Sequence, residues 1–476
     1  MGYILVNDFT GGVDRSRPRY AAVPGTLWSG INGHLTRGGD FEKRKAFVAT
    51  YSLPAGTVGL AKTAAGLYVF GHTTEAALPS ALPSGVLYQQ IAHPTSPALA
   101  LSKILSWDLF NGQLYVIAKF ENGDIRHYFN GTTVADWNAQ SGTKPTTGWG
   151  TIVRTFKRKL YSSIMSILWG SQIDTATGWD TGSGAFFQNM SNHQSGSDEV
   201  TGLTVYQNYL AIFSRRVIQI WSMVDSSANN APVQTLYETG TRSPRSVIGF
   251  GDVDAFYLSD SGIRSIRARN VTNVAGVNDV GTPIDSLIRE WIEGFTDEQV
   301  EDAVAAVEPL DGRYWLAIGD RIAVFTYFPS KKISAWSWYE PGVEFKDIVT
   351  VNDRVYCRAG DVIYLYGGAD NATYDSNTPV TAALGFLTGG KPGHFKQIKG
   401  IDISAQGEWN VKLLVNPNDE DEFVDVGNMT NWTFQDMDSG TGAHCSAVAP
   451  VLTNDGAGYA VLSQIAIHHN GADTPP

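Results

Sequence analysis

One hairpin motif recurs along most of the chain, and its spacing restricts the fold more than any other feature. A short strand, often carrying a Leu-Tyr pair, runs into a tight turn and a second strand. The motif cores fall at Leu67, Leu114, Leu160, Leu210, Phe256, Tyr314 and Val355, at intervals of 47, 46, 50, 46, 58 and 41 residues. Strand-built repeats of roughly 40–50 residues are what propeller blades produce. The sequence therefore predicts an all-β fold with a β-propeller body of seven blades. Six is the alternative, if one hairpin belongs to an inserted element.

The clearest copies show why such segments form hairpins. Arg313–Ile318 and Arg321–Phe325 flank Gly319-Asp320, and Val355–Ala359 and Val362–Tyr366 flank Gly360-Asp361. A Gly-x pair between two β-prone runs is the chemistry of a type II′ turn. Beyond the turn an aromatic recurs at Tyr128, Trp221, Phe325 and Tyr366. Its expected role is to fill the space between blades; the alternative is a ring of ligand-stacking aromatics. The copy at Leu67 is followed by a Pro-, Ala- and Ser-rich insertion, Thr73–Gly85. The longest interval contains a helix candidate, Pro283–Ile292. Its apolar residues at 284, 287, 288, 291 and 292 share one helix face, and Pro stands at its start.

Two flanking regions differ from the repeats. Residues 1–55 are broken by Gly11-Gly12, Pro18, Pro24-Gly25, Gly30, Gly33 and Gly38-Gly39, and read as an extended N-terminal arm with no core of its own. Residues 56–375 form the predicted propeller. Residues 376–476 carry alternating strands at Phe386-Leu387, Ile398–Ile403, Trp409–Val415, Trp432–Phe434 and Ala460–Ile467, and predict a small C-terminal β-sandwich.

The formal net charge of −12 is unevenly spread. The arm holds seven Lys/Arg against four acids, and residues 376–476 hold four Lys against eleven acids. A basic arm and an acidic tail predict contacts between copies or with different neighbours. The acidic balance argues against tight duplex-DNA binding, which requires several phosphates to be neutralised. The basic runs Lys43-Arg44-Lys45 and Arg154, Lys157, Arg158, Lys159 are short, and are expected to be solvated or to face another subunit. The N-terminus has no basic segment followed by an apolar core, and no run is long enough to span a bilayer. The sequence thus predicts neither signal peptide nor membrane span. Cys357 and Cys445 are expected to be reduced structural thiols.

No constellation for catalysis stands out. The turn acids Asp124, Asp260, Asp320 and Asp361 include three at equivalent hairpin positions, as turn chemistry alone would give. The acidic run Asp419-Glu420-Asp421-Glu422, with Asp425, lacks a calcium-loop pattern, and His444-Cys445 with His468-His469 match no zinc spacing. No phosphate-binding glycine loop is present. The sequence predicts no enzyme activity, no cofactor and no metal site.

Three separated stretches carry a family resemblance. Asp8–Asp14, Pro24–Leu27 and Asn32–Val48 form the first; Asp311–Trp315 and Phe328-Pro329 to Ser337 the second; Lys391–Asp402 the third. They resemble the tail nozzle proteins of short-tailed bacteriophages, also called tail tubular B-type or packaged-DNA stabilisation proteins. The resemblance implies a virion structural protein of the phage tail, made and assembled in the host cytoplasm. It implies a homo-oligomeric ring, typically of six copies, below the portal and adaptor rings of the head–tail connector complex. Its partners would be the adaptor ring, tail fibres or spikes and other tail proteins, with duplex DNA passing non-specifically through the lumen on ejection. It carries no catalytic residues. On this reading an acidic lumen would let DNA slide, and the basic arm would clasp the next copy. The candidate subunit-contact residues are Phe9, Arg15, Arg17, Lys43, Arg44 and Lys45 on the arm, and Leu287 and Trp291 on the helix. The second reading of the same sequence is a propeller or sandwich binding module for a host surface glycan.

Overall fold

Seven inner strands, of three to ten residues, stand around a common axis, and each begins the sheet of one blade. The computed structural model describes residues 2–72, 84–130, 134–135, 150–176, 178–179, 184–193, 198–251, 254–267, 279–375, 378–430, 435–436 and 444–471. Blade 1 comprises Gly59–Thr63, Gly66–His72 and Val86–Ile91; blade 2 opens with Leu101–Phe110, blade 3 with Val153–Phe156 and blade 4 with Val200–Tyr206. Blade 5 comprises Ile248–Phe250, Asp254–Ser259 and Gly262–Ser265. Blade 6 runs from Val304–Glu308 to Ile333–Tyr339, and blade 7 starts at Asp347–Val351. The inner strands are neighbours in this order and the last lies beside the first, so the ring is closed. All seven motif cores lie on the second strand of successive blades.

Packing between blades explains why the repeat closes, since each neighbouring pair shares its own apolar layer. Phe70 of blade 1 shares such a layer with Leu114, Val116 and Tyr128 of blade 2. Blades 2 and 3 meet around Phe110 and Leu160, blades 3 and 4 around Tyr161 and Trp221, and blades 4 and 5 around Phe213 and Tyr257. Blades 5 and 6 meet around Phe256 and Phe325, blades 6 and 7 around Trp315 and Tyr366, and blades 7 and 1 around Ile363 and Leu67. The four recurrent aromatics, Tyr128, Trp221, Phe325 and Tyr366, are all buried in these layers, as expected of blade filling.

Turn chemistry sets the hairpins. The first turns of blades 2, 3, 4 and 7 have two successive left-handed residues: Asn111 and Gly112 (φ 49° and 74°), Lys157 and Arg158 (43° and 64°), Gln207 and Asn208 (46° and 64°), Asn352 and Asp353 (47° and 58°). Two positive φ values in a row mark type I′, whose twist matches that of the strands. Gly319 and Gly360 take φ of 56° and 54° at the turns singled out in the sequence. Blade 1 departs from the pattern. Val86–Ile91 pairs parallel to Gly66–His72, so the chain between them must return to the start of that strand. Residues 73–83 of the insertion lie outside the described residues, as do residues 432–434 of one expected strand.

The N-terminal segment corrects the expectation of a separate arm. Phe47–Ser52 is the outer strand of blade 7, paired antiparallel with Val362–Tyr366, so the ring is closed by a strand from the N-terminal side. Gly2–Val6, Gly33–Leu35 and Phe41–Lys43 join the sheet built on Lys396–Gln406 and Val461–Gly471. Thr26–Ile31 lies between the outer strand of blade 6 and Val380–Leu384, and the same sheet continues through Ala449–Asn454 and Trp409–Leu414 to Phe423–Met429. These two sheets face each other across Phe9, Leu27, Phe41, Ile401, Trp409 and Ile465. The C-terminal strands do form a β-sandwich, but strands from the first 43 residues are part of it. A Gly-rich segment without a core of its own gains order by adding strands to sheets that already have one.

The helix candidate forms as α1, Asp285–Gly294, preceded by a single 3-10 turn at Thr282–Ile284. Leu287, Ile288 and Trp291 are buried against blades 5 and 6, and Trp291 meets Trp338 edge-on at 6.4 Å. A second short helix, α2 (Asp297–Glu301), starts with a capping box in which Thr296 and Gln299 satisfy each other's backbone N–H. Among the described residues, no helix is long and apolar enough to cross a membrane.

Candidate functional site: the arm junction and the central channel

Most of the candidate subunit-contact residues point into their own chain. Phe9, Lys43, Arg44, Leu287 and Trp291 are each at most 4% exposed. This corrects their assignment to a surface between copies: the spacing that marks an amphipathic face cannot tell which body covers it. Arg15 lies over Trp28 and Trp338, at 5.1 and 5.4 Å, and faces Glu290 at 3.5 Å. Lys45 is half-buried, and Arg17 alone of the set is exposed.

The buried members build a polar seam between propeller and sandwich. Asn32 takes a left-handed φ of 55°, donates its N–H to Trp338 O at 2.8 Å and its amide to Pro379 O at 3.1 Å. Its side-chain oxygen accepts from Arg44 Nε at 2.9 Å and from the Glu340 N–H at 2.8 Å. The Arg44 guanidinium lies over the rings of Phe47 and Tyr339. Beside it, His34 Nδ1 and Tyr339 Oη are 2.7 Å apart. Burial, and then the charges of Arg313, Lys45 and Arg44, hold the pKa of the His34 imidazole well below its usual range. Lys43 Nζ donates to Gly456 O at 2.5 Å, and burial lowers the pKa of its ammonium. Sequence reasoning missed this seam, although Asn32-Gly33 is a turn dipeptide that could have marked its centre.

The basic arm does meet acidic C-terminal chain, but within one molecule. Arg19 pairs with Glu420 at 2.5 Å. The rest of that acidic run is organised by local turns: the Asp421 N–H donates to Asp419 Oδ1 at 3.0 Å, and Asn416 donates to Glu422 at 2.8 Å.

The turn acids have separate duties. Asp124 accepts from His93 Nε2 at 3.0 Å, Asp260 faces Arg215 and Arg242, and Asp361 Oδ1 accepts the Thr57 N–H at 3.0 Å. Asp320 lies 4.0 Å from its neighbour Arg321. His468 pairs with Asp402 at 2.8 Å, and no three His, Cys, Asp or Glu side chains among the described residues gather as a metal site would require. Both cysteines are buried and free of disulfides; burial pushes the Cys445 thiol up to about 11 and that of Cys357 further.

The inner strands enclose a central channel of about 380 Å³. Where these strands begin, ion pairs bridge the ring: Lys103 of blade 2 pairs with Asp302, just ahead of blade 6. Arg245 donates to Asp347 at 2.8 Å and to the Asp302 carbonyl at 3.0 Å, and Arg358 Nη2 meets Asp347 at 2.6 Å. Nearer the other end, Lys62, Asp108 and Arg154 line the wall.

No protein-family model matches the chain, and no curated protein matches it. Solved structures with a detectable likeness include BamB from Moraxella catarrhalis, at 11% identity over 67% of this chain and 97% of that one, TM-score 0.36. The Pan2 WD40 domain of Neurospora crassa matches at 8% identity over 70% and 97%, TM-score 0.40. An exo-beta-1,3-galactanase from Phanerochaete chrysosporium matches at 11% identity over 86% and 100%, TM-score 0.27. Likeness at this level adds no argument to what the sheets themselves give.

Proposed function

We propose that this chain is a non-enzymatic structural component of a short-tailed phage tail. It would form a ring-shaped nozzle below portal and adaptor, retain packaged DNA, and provide the channel for its ejection. The observation that carries the reading is spatial. The three stretches that resemble nozzle proteins are far apart in sequence and meet at the junction of propeller and sandwich. Arg313 of the second stretch donates to Leu35 O of the first at 3.3 Å, and the strand Thr26–Ile31, which starts in the first stretch, lies beside Ile333–Tyr339, which starts in the second. Phe41 and Glu42 pair with the strand Val461–Gly471, whose other edge takes Lys396–Gln406 of the third.

Two further features support the reading. The recurrent hairpin aromatics that a glycan platform would use are buried between blades. The junction locks two bodies into one block, which suits a part that must bear load in an assembly. Electron microscopy of the purified full-length protein, and of tails containing it, tests the proposal. The expected result is a closed ring with a lumen wide enough for duplex DNA. A chain that stays monomeric in the virion sinks it.

A further inference from the structure

We propose that the central channel of the propeller binds a small oxyanion, a phosphate or carboxylate group, between Lys62 and Arg154. The channel wall carries the cations Lys62, Arg154 and Arg245 against the carboxylates Asp108 and Asp347. The wall therefore has an excess of positive charge in a chain whose net charge is −12. Asp347 is already neutralised, since it takes Arg245 at 2.8 Å and Arg358 at 2.6 Å. Asp108 is engaged by backbone: Oδ2 accepts the Thr155 N–H at 2.7 Å and Oδ1 accepts the Leu109 N–H at 2.8 Å.

The two remaining cations are under-used. Lys62 Nζ donates to Thr350 O at 2.8 Å, and among the described residues no carboxylate lies within ion-pair distance of it. An ammonium has three N–H donors, so two are left for a ligand. Arg154 Nε is buried, and its partner acid, Asp108 Oδ2, lies at 3.9 Å, beyond hydrogen-bond reach. Lys62 stands on blade 1 and Arg154 on blade 3, with Asp108 on blade 2 between them. The bond from Thr155 to Asp108 holds Arg154 level with Asp108 near the end of the blade 2 strand. Burial also disfavours the charged form of Lys62, a cost that a bound anion would offset. The cavity suits a small molecule, and duplex DNA does not fit in about 380 Å³. The inference is independent of the nozzle reading.

The test uses the full-length protein at fixed ionic strength, titrated calorimetrically with inorganic phosphate, with citrate and with chloride. Saturable binding of phosphate or citrate, and not of chloride, is expected, and the stronger of the two identifies the class. Lys62→Met and Arg154→Gln should each weaken it by roughly tenfold or more, as loss of a hydrogen bond to a charged group does. Lys62→Arg should retain it, which guards against a variant that fails to fold, and the surface control Lys331→Met should leave it unchanged. The proposal is overturned if neither oxyanion saturates, if chloride binds as tightly, or if binding survives Lys62→Met and Arg154→Gln together.

Discussion

The layers between blades and the junction between propeller and sandwich are both buried, yet they are made differently. The layers are apolar and repeat, and all but the closing one are supplied by blades adjacent in sequence. At the junction, by contrast, Arg44, His34, Lys43 and Asn32 are withdrawn from water, and their partners come from remote chain: Asn32 and Glu340 are 308 positions apart. A layer tolerates variation in shape, whereas a buried polar network fails when one member is lost. The contrast predicts that losses in separate layers add, whereas losses within the junction are coupled.

The largest expected effect comes from deleting residues 1–46, which removes strands from both sandwich sheets together with Phe9, Leu27, Leu35 and Phe41. The sandwich should fail to fold, seen as loss of soluble protein or of a transition in calorimetric melting; an unchanged cooperative melt would refute the woven arm. Trp315→Ala tests a layer. Its ring is fully buried and packs edge-on against Tyr339 and Tyr366, at 5.6 and 4.9 Å. The expected loss is about 3–5 kcal/mol by chemical denaturation. Arg44→Met tests the junction, where it takes a donor from Asn32 Oδ1 and from the Lys45 and Glu340 carbonyls. About 2–3 kcal/mol should be lost, and a double mutant with Asn32→Ala should lose less than the sum of the two singles.

Acid should weaken the protein through its buried histidines. His127 Nε2 donates to Gly150 O at 2.9 Å, and burial lowers the pKa of its imidazole to about 4. The unfolded chain takes up the proton from about pH 6.5 downward while the folded chain does not. Stability present above about pH 6.5 is therefore lost as pH falls toward 4, at about 1.4 kcal/mol per pH unit. Denaturant melts at pH 7, 6 and 5 should show the slope, and His127→Gln should reduce it. His34→Gln should also reduce it, because the His34 shift has the same direction. The smallest effect is expected at a blade hairpin: Asn208→Gly relieves a left-handed residue and should raise stability by about 1 kcal/mol or less in the same melts.

The same contrast explains what the sequence made legible. Blade hairpins are local, so periodicity and turn residues located all seven second strands and the helix Asp285–Gly294. The arm was misjudged because its strands pair with chain hundreds of residues away, which no local pattern records. The type I′ turn at Lys157-Arg158 was hidden because neither residue is usual at positive φ. The seam was missed for a similar reason: Lys43-Arg44-Lys45 has the composition of a solvated patch, and only tertiary contacts bury it. The channel cations Lys62 and Arg154 lie on blades far apart in sequence, and ring closure alone brings them to one cavity.

Closure by Phe47–Ser52 has a consequence for biosynthesis. That strand leaves the ribosome before any blade, and the residue paired with Ser52 is Val362, so 310 residues separate the two. At about 5–20 residues per second the wait is on the order of 15–60 s. During that time the nascent chain carries an unpaired strand and an open ring, and the last blade can be sealed only when synthesis has passed it.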